Sequence, residues 1–276
     1  MHFPKNLFKA GLGADRIPYG IWTGFANAYA AEIVASTGYD WMLIDGEHAP
    51  NDVVSMLAQL QAVAAYSTRP IVRLVSGDPM LIKQVLDIGA QTLMVPMVED
   101  AAQARQVVQG MHYPPRGKRG IGGGLARATR WDGVPDYLPH ASDELCLVLQ
   151  IESKAGVDQA DRIAAVDGVD AIFIGPADLS CGLGHPNDPG HPDVQTAIRH
   201  VIDVTRRCDK ACGILAPNED DARRYAAWGC SFVAVGIDIS LLRRGAIDSL
   251  ARFGPRTDDG SASPVPASDT AVSRTY

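Results

Sequence analysis

Short apolar runs alternate with amphipathic segments along most of the chain, and this alternation restricts the possible folds more than any other feature. Eight apolar runs are predicted to be strands: 19–24, 41–45, 71–75, 92–96, 145–151, 171–174, 212–215 and 232–236. A segment with helical signals follows each of them, at 28–36, 51–65, 79–88, 100–109, 156–166, 193–207, 219–228 and 240–252. Strands that are apolar throughout are typical of parallel sheets that are buried on both faces.

Eight consecutive strand–helix units predict an α/β fold, a (β/α)8 TIM barrel. A chain of 276 residues with 46% apolar residues can bury a core of that size, so we expect residues 1–254 to form a single domain. Residues 255–276 are rich in Ser, Asp, Pro and Ala and lack periodicity, which predicts a disordered tail. An open, doubly wound parallel sheet is the alternative architecture.

Composition excludes several classes of function. The formal net charge is −7 and basic residues do not cluster, which argues against a nucleic-acid partner. The 5 cysteines are odd in number and lack the spacing of a metal site, so they indicate free thiols in a reducing compartment. No apolar run reaches the length needed to cross a membrane. We therefore expect a cytoplasmic protein without a membrane partner.

The stretch from residue 145 to residue 180 predicts one strand–helix–strand unit in which a carboxylate follows each strand. Glu152 follows the first strand and Asp178 follows the second. The two strands of such a unit are parallel and end at the same edge of the sheet. If they are direct neighbours, about 4.8 Å separates them, which places both carboxylates within reach of one divalent cation. Carboxylates are the ligands that hard cations such as Mg2+ prefer.

Other polar side chains follow or end predicted strands at the same edge. The second strand ends at Asp45, with Glu47 and His48 just beyond it. Arg73 lies in the third strand, and Gln150, in the fifth, precedes Glu152 by two residues. Active sites of (β/α)8 barrels are built at this edge, so we expect these side chains to share one site. Together, a base, a cation, an amide and two metal-binding carboxylates are suited to proton abstraction.

Each candidate also has a structural interpretation. Asp178 has the position of a helix cap, and His48 has the position of a turn residue before Pro50. Arg73 is harder to explain structurally, because a buried guanidinium needs an anionic partner. Asp87 lies late in a predicted helix and by itself indicates a solvated residue. No predicted strand contains a lysine, which argues against a Schiff-base aldolase, although Lys154 lies just past a strand end.

The segment 111–144 interrupts the strand–helix alternation and is rich in glycine, proline and arginine. Long irregular segments in compact domains are usually functional or interfacial. We interpret this one as a lid or a contact between subunits.

Four sequence motifs carry a resemblance to a known family: LIDGEH at 43–48, PIVRL at 70–74, QIE at 150–152 and FIGPADLS at 173–180. With them the chain resembles, over residues 6–253, the HpcH/HpaI family of metal-dependent class II pyruvate aldolases. The resemblance implies a TIM barrel whose C-terminal helix is exchanged between subunits. It also implies a homohexamer assembled as a trimer of dimers.

The resemblance implies a role for each matching residue. Glu152 and Asp178 would bind a divalent ion, Mg2+, Mn2+ or Co2+, which would act as a Lewis acid on the 2-oxo acid. Gln150 and the backbone amides of Ala177 and Asp178 would bind the substrate carboxylate. Arg73 would also bind substrate and would stabilise the developing oxyanion.

The resemblance implies further that His48 is the catalytic base and that Asp87 raises its basicity by pairing with it. The implied reaction is the reversible cleavage of 4-hydroxy-2-oxoheptane-1,7-dioate to pyruvate and succinic semialdehyde, through a metal-stabilised pyruvate enolate, in aromatic catabolism. Alternatives are sugar-acid aldolases of the same family, acting on 2-keto-3-deoxy-rhamnonate or 5-keto-4-deoxyglucarate. More remote ones are a lyase or hydrolase of acyl-CoA or phosphoenolpyruvate, and a barrel without enzymatic activity. Leu215 and an arginine of 116–130 are candidates for aldehyde recognition.

Overall fold

Eight parallel strands close into a barrel in the order β1 to β8 in the computed structural model, which describes residues 2–14 and 16–254. The strands are β1 (Tyr19–Thr23), β2 (Trp41–Asp45), β3 (Arg69–Arg73), β4 (Thr92–Val95), β5 (Cys146–Ile151), β6 (Ala171–Ile174), β7 (Ala211–Leu215) and β8 (Phe232–Ile237). The predicted (β/α)8 barrel is confirmed, and the open sheet is excluded. The tail predicted at 255–276 lies outside the described residues.

Twelve α-helices accompany the strands in the described part of the chain. They are α1 (Leu7–Gly11), α2 (Ala28–Ala35), α3 (Val53–Ala62), α4 (Pro79–Asp87), α5 (Ala101–Met111), α6 (Tyr137–His140), α7 (Lys154–Asp158), α8 (Ala160–Ala164), α9 (Pro176–Gly182), α10 (Pro192–Arg207), α11 (Glu219–Trp228) and α12 (Asp238–Ala251). The helix predicted at 156–166 is divided into α7 and α8 because the backbone leaves the helical conformation at Gln159 (φ −116°, ψ 10°). Helices α1, α6 and α9 were not predicted.

Side-chain caps fix where the helices between strands begin. Asp78, Asp100 and Asn218 accept backbone N–H bonds at the starts of α4, α5 and α11, as their sequence positions predict. For α3 the cap is Asp52, and Ser55 completes a capping box with it. These local signals explain why most helix starts predicted from the sequence lie within two residues of the observed starts.

The barrel interior is filled by side chains from alternate positions of the strands, so it is a packed core rather than a channel. Helix α1 closes its amino-terminal end. The Phe8 ring is buried there, with its centroid 5.4 Å from that of Phe232 and 6.1 Å from that of Trp41. The side-chain amide of Asn6 anchors this plug by donating to Thr92 Oγ1 over 3.0 Å.

The strand register determines which polar side chains meet at the carboxyl-terminal edge. Asp45 at the end of β2 pairs directly with Arg73 at the end of β3. Strands β5 and β6 are parallel, as the strand–helix–strand unit predicts, and they are direct neighbours, with Ile151 opposite Ile174. The next residue along each of these two strands is Glu152 and Gly175, so both enter the same region of the edge.

Helix α12 leaves the barrel and presents most of its surface to solvent. Its exposed apolar side chains, together with the residue two positions beyond its end, are Ile239, Leu241, Leu242, Ile247, Leu250 and Phe253. An apolar helix surface of this extent usually marks a protein–protein contact. Within the described residues, no helix is both long enough and apolar enough to cross a bilayer.

Candidate active site

A buried ion pair between Arg73 and Asp45 forms the centre of the candidate site. Arg73 Nε donates to Asp45 Oδ1 over 2.9 Å and Arg73 Nη2 to Asp45 Oδ2 over 2.6 Å, a two-point contact. The third guanidinium nitrogen, Nη1, lies 2.7 Å from Glu47 Oε2. The sequence predicts an anionic partner for Arg73, and the structure provides two.

Asp45 organises the loop after β2 as well as the guanidinium. Its Oδ1 accepts the backbone N–H groups of Glu47 (2.9 Å) and His48 (3.3 Å). Burial would raise the pKa of the Asp45 carboxyl, but the hydrogen bonds and charge of Arg73 outweigh burial, so the net shift of its pKa is downward. Asp45 is therefore an ionised anchor that holds both the guanidinium and the segment carrying His48.

Sequence reasoning missed Trp22, which completes this anchor. Its indole Nε1 donates to Asp45 Oδ2 over 3.1 Å, and the Arg73 guanidinium carbon lies 4.8 Å from the centre of its ring. A cation over an indole face is favourable by roughly 0.5–2 kcal/mol. The available signal was a tryptophan close to the end of the first strand, at the same edge as the other candidates.

His48 and Glu47 lie at the mouth of the site. The His48 side chain is 64% exposed, and its Nε2 lies 3.8 Å from Glu47 Oε2. Burial raises the pKa of Glu47 against the opposing charges of Arg73 and His48, with Asp45 and Asp178 adding to the rise. The imidazole is thus accessible to a substrate from solvent and has a carboxylate beside it.

Glu152 is the most deeply buried of the predicted metal ligands. The residue is 2% exposed, its Oε1 accepts the backbone N–H of Met97 over 2.9 Å, and its Oε2 accepts from the Gln150 amide. Burial raises the pKa of Glu152 to about 7, and the negative charges of Glu47 and Asp178 contribute to the rise. An ionised Glu152 therefore needs a positive partner.

Gly175, at the start of the turn after β6, allows Glu152 and Gln150 to occupy this place. A Cβ atom on residue 175 would lie 2.2 Å from Glu152 Oε2 and 2.9 Å from Gln150 Nε2. A methyl group here would displace the Glu152 carboxylate and the Gln150 amide from these positions, so glycine leaves room for both. Close packing against the site thus explains the glycine at position 175 of the FIGPADLS motif.

Asp178 and Ala177 lie in the first turn of α9, directly after β6. Asp178 is exposed, in contrast to Glu152. Its charge is close enough to raise the pKa of both Glu152 and Glu47. Backbone N–H groups in a first helical turn have no partner within the helix, so those of Ala177 and Asp178 are suited to an anionic group.

The donor set of this region fits a hard divalent cation. Asp45 and Glu47 contact the Arg73 guanidinium, and the charges of Glu47 and Asp178 act on Glu152, so full ionisation of these four carboxylates and one guanidinium leaves a net charge of −3 (four negative, one positive). Gln150 Oε1 is buried without a hydrogen-bond partner in the same region. Oxygen ligands of this kind suit Mg2+ or Mn2+.

Asp87 is the one predicted site residue that the structure does not bring to the others. Helix α4 begins beside the carboxyl end of β3 and runs back along the barrel, so Asp87 at its last turn lies at the opposite, amino-terminal end. There its Oδ1 accepts from Arg119 Nη2 over 2.6 Å. The expected pairing of Asp87 with His48 does not form within one chain, because the helical path carries the two residues to opposite ends.

The segment 111–144 also lies at that end. Arg127 Nη1 donates to the carbonyl oxygen of Ile88 just past α4, and the buried Arg119 guanidinium lies 4.5 Å from the Tyr113 ring centre. Within one chain the segment therefore does not cover the site as a lid. Its exposed large apolar side chains are consistent with the other interpretation, a contact between subunits; they are Ile121, Leu125, Trp131 and Leu138.

Comparisons with known proteins show the family to which this chain belongs. The family model described as "HpcH/HpaI aldolase/citrate lyase" matches residues 18–245. A hydroxypyruvate/pyruvate aldolase of Delftia acidovorans is 62% identical over 98% of this chain and 100% of its own length. A 4-hydroxy-2-oxo-heptane-1,7-dioate aldolase of Salmonella dublin is 51% identical over 95% of this chain and 99% of its own.

Solved structures show the same fold. The crystal structure of an HpcH/HpaI aldolase/citrate lyase family protein from Burkholderia cenocepacia superimposes with a TM-score of 0.87 at 39% sequence identity. The match covers 90% of this chain and 99% of that one.

Proposed function

We propose that this chain, a carbon–carbon lyase that belongs to the HpcH/HpaI aldolase/citrate lyase family, is an aldolase for pyruvate and hydroxypyruvate that holds its divalent ion at Glu152 and Asp178. The observation that carries the metal proposal is the burial of Glu152 beside the negative charges of Glu47 and Asp178, with Arg73 as the one guanidinium in the region. Such a set of charges is electrostatically unfavourable unless a cation joins it. The relatives at 61–62% identity carry the name hydroxypyruvate/pyruvate aldolase, which supports this choice of 2-oxo acid.

The bound ion would supply Lewis acidity to the keto and carboxylate oxygens of the 2-oxo acid. The protein itself would hold the substrate carboxylate through the backbone N–H groups of Ala177 and Asp178, with the Gln150 amide beside them. Because these donors are fixed by the helix and by burial, they orient the substrate with little reorganisation when it binds.

Arg73 would stabilise the negative charge that develops on oxygen as the carbon–carbon bond breaks. Its guanidinium is held by both oxygens of Asp45 and by the face of Trp22, so its position is set before substrate arrives. A preorganised cation in a site of low exposure stabilises a developing oxyanion far more than a mobile one does.

His48 would act as the base. In cleavage it takes the proton of the substrate hydroxyl, the adjacent carbon–carbon bond breaks, and the aldehyde leaves while the electron pair stays on the 2-oxo acid fragment. In condensation it takes a proton from the carbon next to the keto group. A supporting role of Asp87 beside His48 would require that Asp87 come from a neighbouring subunit, since the two are at opposite ends of one chain.

The 4-hydroxy-2-oxoheptane-1,7-dioate reaction is the second candidate, and the relatives at 51–52% identity that carry this name support it. This reaction releases pyruvate, one of the two 2-oxo acids of the first candidate, with succinic semialdehyde as the aldehyde. A substrate panel with measurement of released 2-oxo acid discriminates the two. Comparable rates on this diacid and on the sugar acids would contradict a narrow assignment to the diacid.

The metal proposal is tested with protein stripped by a chelator, followed by addition of Mg2+, Mn2+ or Co2+. We expect turnover to be lost on stripping and restored by the ion in the unchanged chain. Glu152→Gln should stay inactive after the same addition, while Glu99→Gln, an exposed glutamate, should recover as the unchanged chain does. Full turnover in excess chelator would overturn the proposal.

We further propose a homohexamer, a trimer of dimers, in which α12 packs on a neighbouring subunit. The exposed apolar side chains of α12 support this assembly. A cytoplasmic location and a place in aromatic catabolism remain predictions from the sequence.

A further inference from the structure

Two histidines and an aspartate cluster outside the candidate active site, where α9 connects to α10. One nitrogen each of His185 and His191 and one carboxylate oxygen of Asp193 lie within 4.8 Å of one another. Among the described residues, no other three His, Cys, Asp or Glu side chains converge this closely.

The contacts within the cluster centre on one carboxylate oxygen. His185 Nε2 lies 3.1 Å from Asp193 Oδ2, and His191 Nδ1 lies 3.7 Å from the same atom. The two imidazole rings are stacked, with centroids 3.4 Å apart and an angle of 14° between their planes. Two imidazoles and a carboxylate oxygen thus share one small volume.

The loop that carries the cluster is held in place by its own backbone. His185 N–H donates to the carbonyl oxygen of Ser180 over 2.8 Å, Asp188 N–H to that of His185 over 3.1 Å, and His191 N–H to that of Asp188 over 3.1 Å. Three prolines, Pro186, Pro189 and Pro192, restrict the loop further. A preformed loop loses little conformational entropy when a ligand binds to it.

From these contacts we infer a second metal site, made of His185, His191 and Asp193, that binds a transition-metal ion of the Zn2+, Co2+ or Ni2+ type. Imidazole nitrogens favour such ions over Mg2+, which prefers oxygen ligands. Two imidazoles and one carboxylate, with water in the fourth position, are a recurrent zinc ligand set.

Binding would require a modest rearrangement of the side chains. At metal–ligand distances of about 2.0–2.1 Å, tetrahedral ligand atoms lie roughly 3.4 Å apart, so the cluster must contract and the rings must rotate out of their stack. His191 Nδ1 now accepts the backbone N–H of Asp193 over 3.2 Å as the cap of α10, and the ion would replace that partner. Side-chain exposures of 25% for His185, 32% for His191 and 72% for Asp193 leave access for the ion and its water.

The test measures metal content rather than turnover, so its outcome does not depend on the proposed aldolase function. The full chain without a histidine tag, carrying Glu152→Gln, is stripped and dialysed against Zn2+ in excess Mg2+. We expect one Zn2+ per chain to remain at this site, and Co2+ in its place to give a visible d–d absorption band.

The test variant is His185→Gln together with His191→Asn, and asparagine retains a side chain that can cap α10. We expect it to lose the bound Zn2+ on dialysis, because two of the three ligands are removed. The matched control is His200→Gln, an exposed histidine on the same helix, which should bind Zn2+ as the parent does. Unchanged affinity in the double variant, or an equal loss in the control, would overturn the site.

Discussion

The Asp45 carboxylate is the residue on which the largest number of candidate-site contacts converge. It accepts two guanidinium N–H groups, one indole N–H group and two backbone N–H groups while being 4% exposed. A buried ion pair adds little net stability by itself, but removing one partner leaves an unpaired buried charge. Asp45 is therefore a positioning residue whose loss should affect both folding and turnover.

We expect Asp45→Asn to lower the free energy of unfolding by about 3–5 kcal/mol, because it leaves the Arg73 charge without its main partner. The matched control is Asp203→Asn, which breaks the exposed Arg199–Asp203 pair on α10 (3.2 Å) and should cost only about 0.3–0.5 kcal/mol. Urea unfolding measures both. Equal losses in the two variants would show that Asp45 does not anchor the site.

The raised pKa of Glu152, about 7, makes metal binding depend on pH. A ligand must be deprotonated to bind, so we expect the apparent affinity for Mg2+ to fall about tenfold for each pH unit below 7.

The stability of the metal-free chain depends on pH in the opposite direction. A carboxyl with a folded pKa above its usual 4.5 stabilises the fold fully below pH 4.5 and loses that contribution as pH rises through 7.

Calorimetric titration with Mg2+ at several pH values checks this dependence. The change of Mg2+ affinity with pH should be absent in Glu152→Gln. Any residual Mg2+ binding by that variant would no longer involve a proton at this position. A flat pH profile in the unchanged chain would contradict the assignment of Glu152 as a ligand.

Among the elements, the junction of β6 and α9 contributes most to the candidate site, since one short turn places Gly175, Ala177 and Asp178. We expect Gly175→Ala to weaken Mg2+ binding strongly, because its methyl group would lie 2.2 Å from Glu152 Oε2. Gly11→Ala is the matched control, since nothing lies within 4 Å of a Cβ there. Titration with Mg2+ and circular dichroism measure binding and fold, and unchanged binding in Gly175→Ala would refute the packing argument.

Helix α1 is the element that closes the other end of the barrel. We expect Phe8→Ala to lower the free energy of unfolding by about 3–5 kcal/mol, since the ring is buried against Trp41 and Phe232. Leu7→Ala removes a side chain that is 49% exposed and should stay within about 0.5 kcal/mol. Chemical unfolding compares the two, and similar losses would mean that α1 does not act as a plug.

At the scale of the whole molecule, the exposed apolar surface of α12 predicts an assembly. We expect Leu242→Glu with Leu250→Glu to dissociate the oligomer, because charges on these side chains, each 61% exposed in one chain, would be buried in the contact. Ser240→Glu, an exposed polar position on the same helix, is the control. Light scattering coupled to gel filtration measures the mass, and an unchanged mass in the double variant would exclude α12 from the contact.

The sequence by itself determined the barrel and the edge at which the candidate site residues lie. Apolar periodicity and helix caps are local signals, so eight strand–helix units could be counted along the chain. A parallel barrel then places every strand's carboxyl end at one edge, which brings Glu152, Arg73 and His48 together without knowledge of their contacts.

Only the tertiary structure decided which side chains touch. The two-point pairing of Asp45 with Arg73 depends on the register of β2 against β3, and the role of Gly175 depends on packing across β5 and β6. The expected Asp87–His48 pair failed within one chain because nine residues of helix carry Asp87 to the far end of the barrel. Strand ends follow from local pattern, whereas contacts between distant residues depend on register and helix path, which a local pattern does not specify.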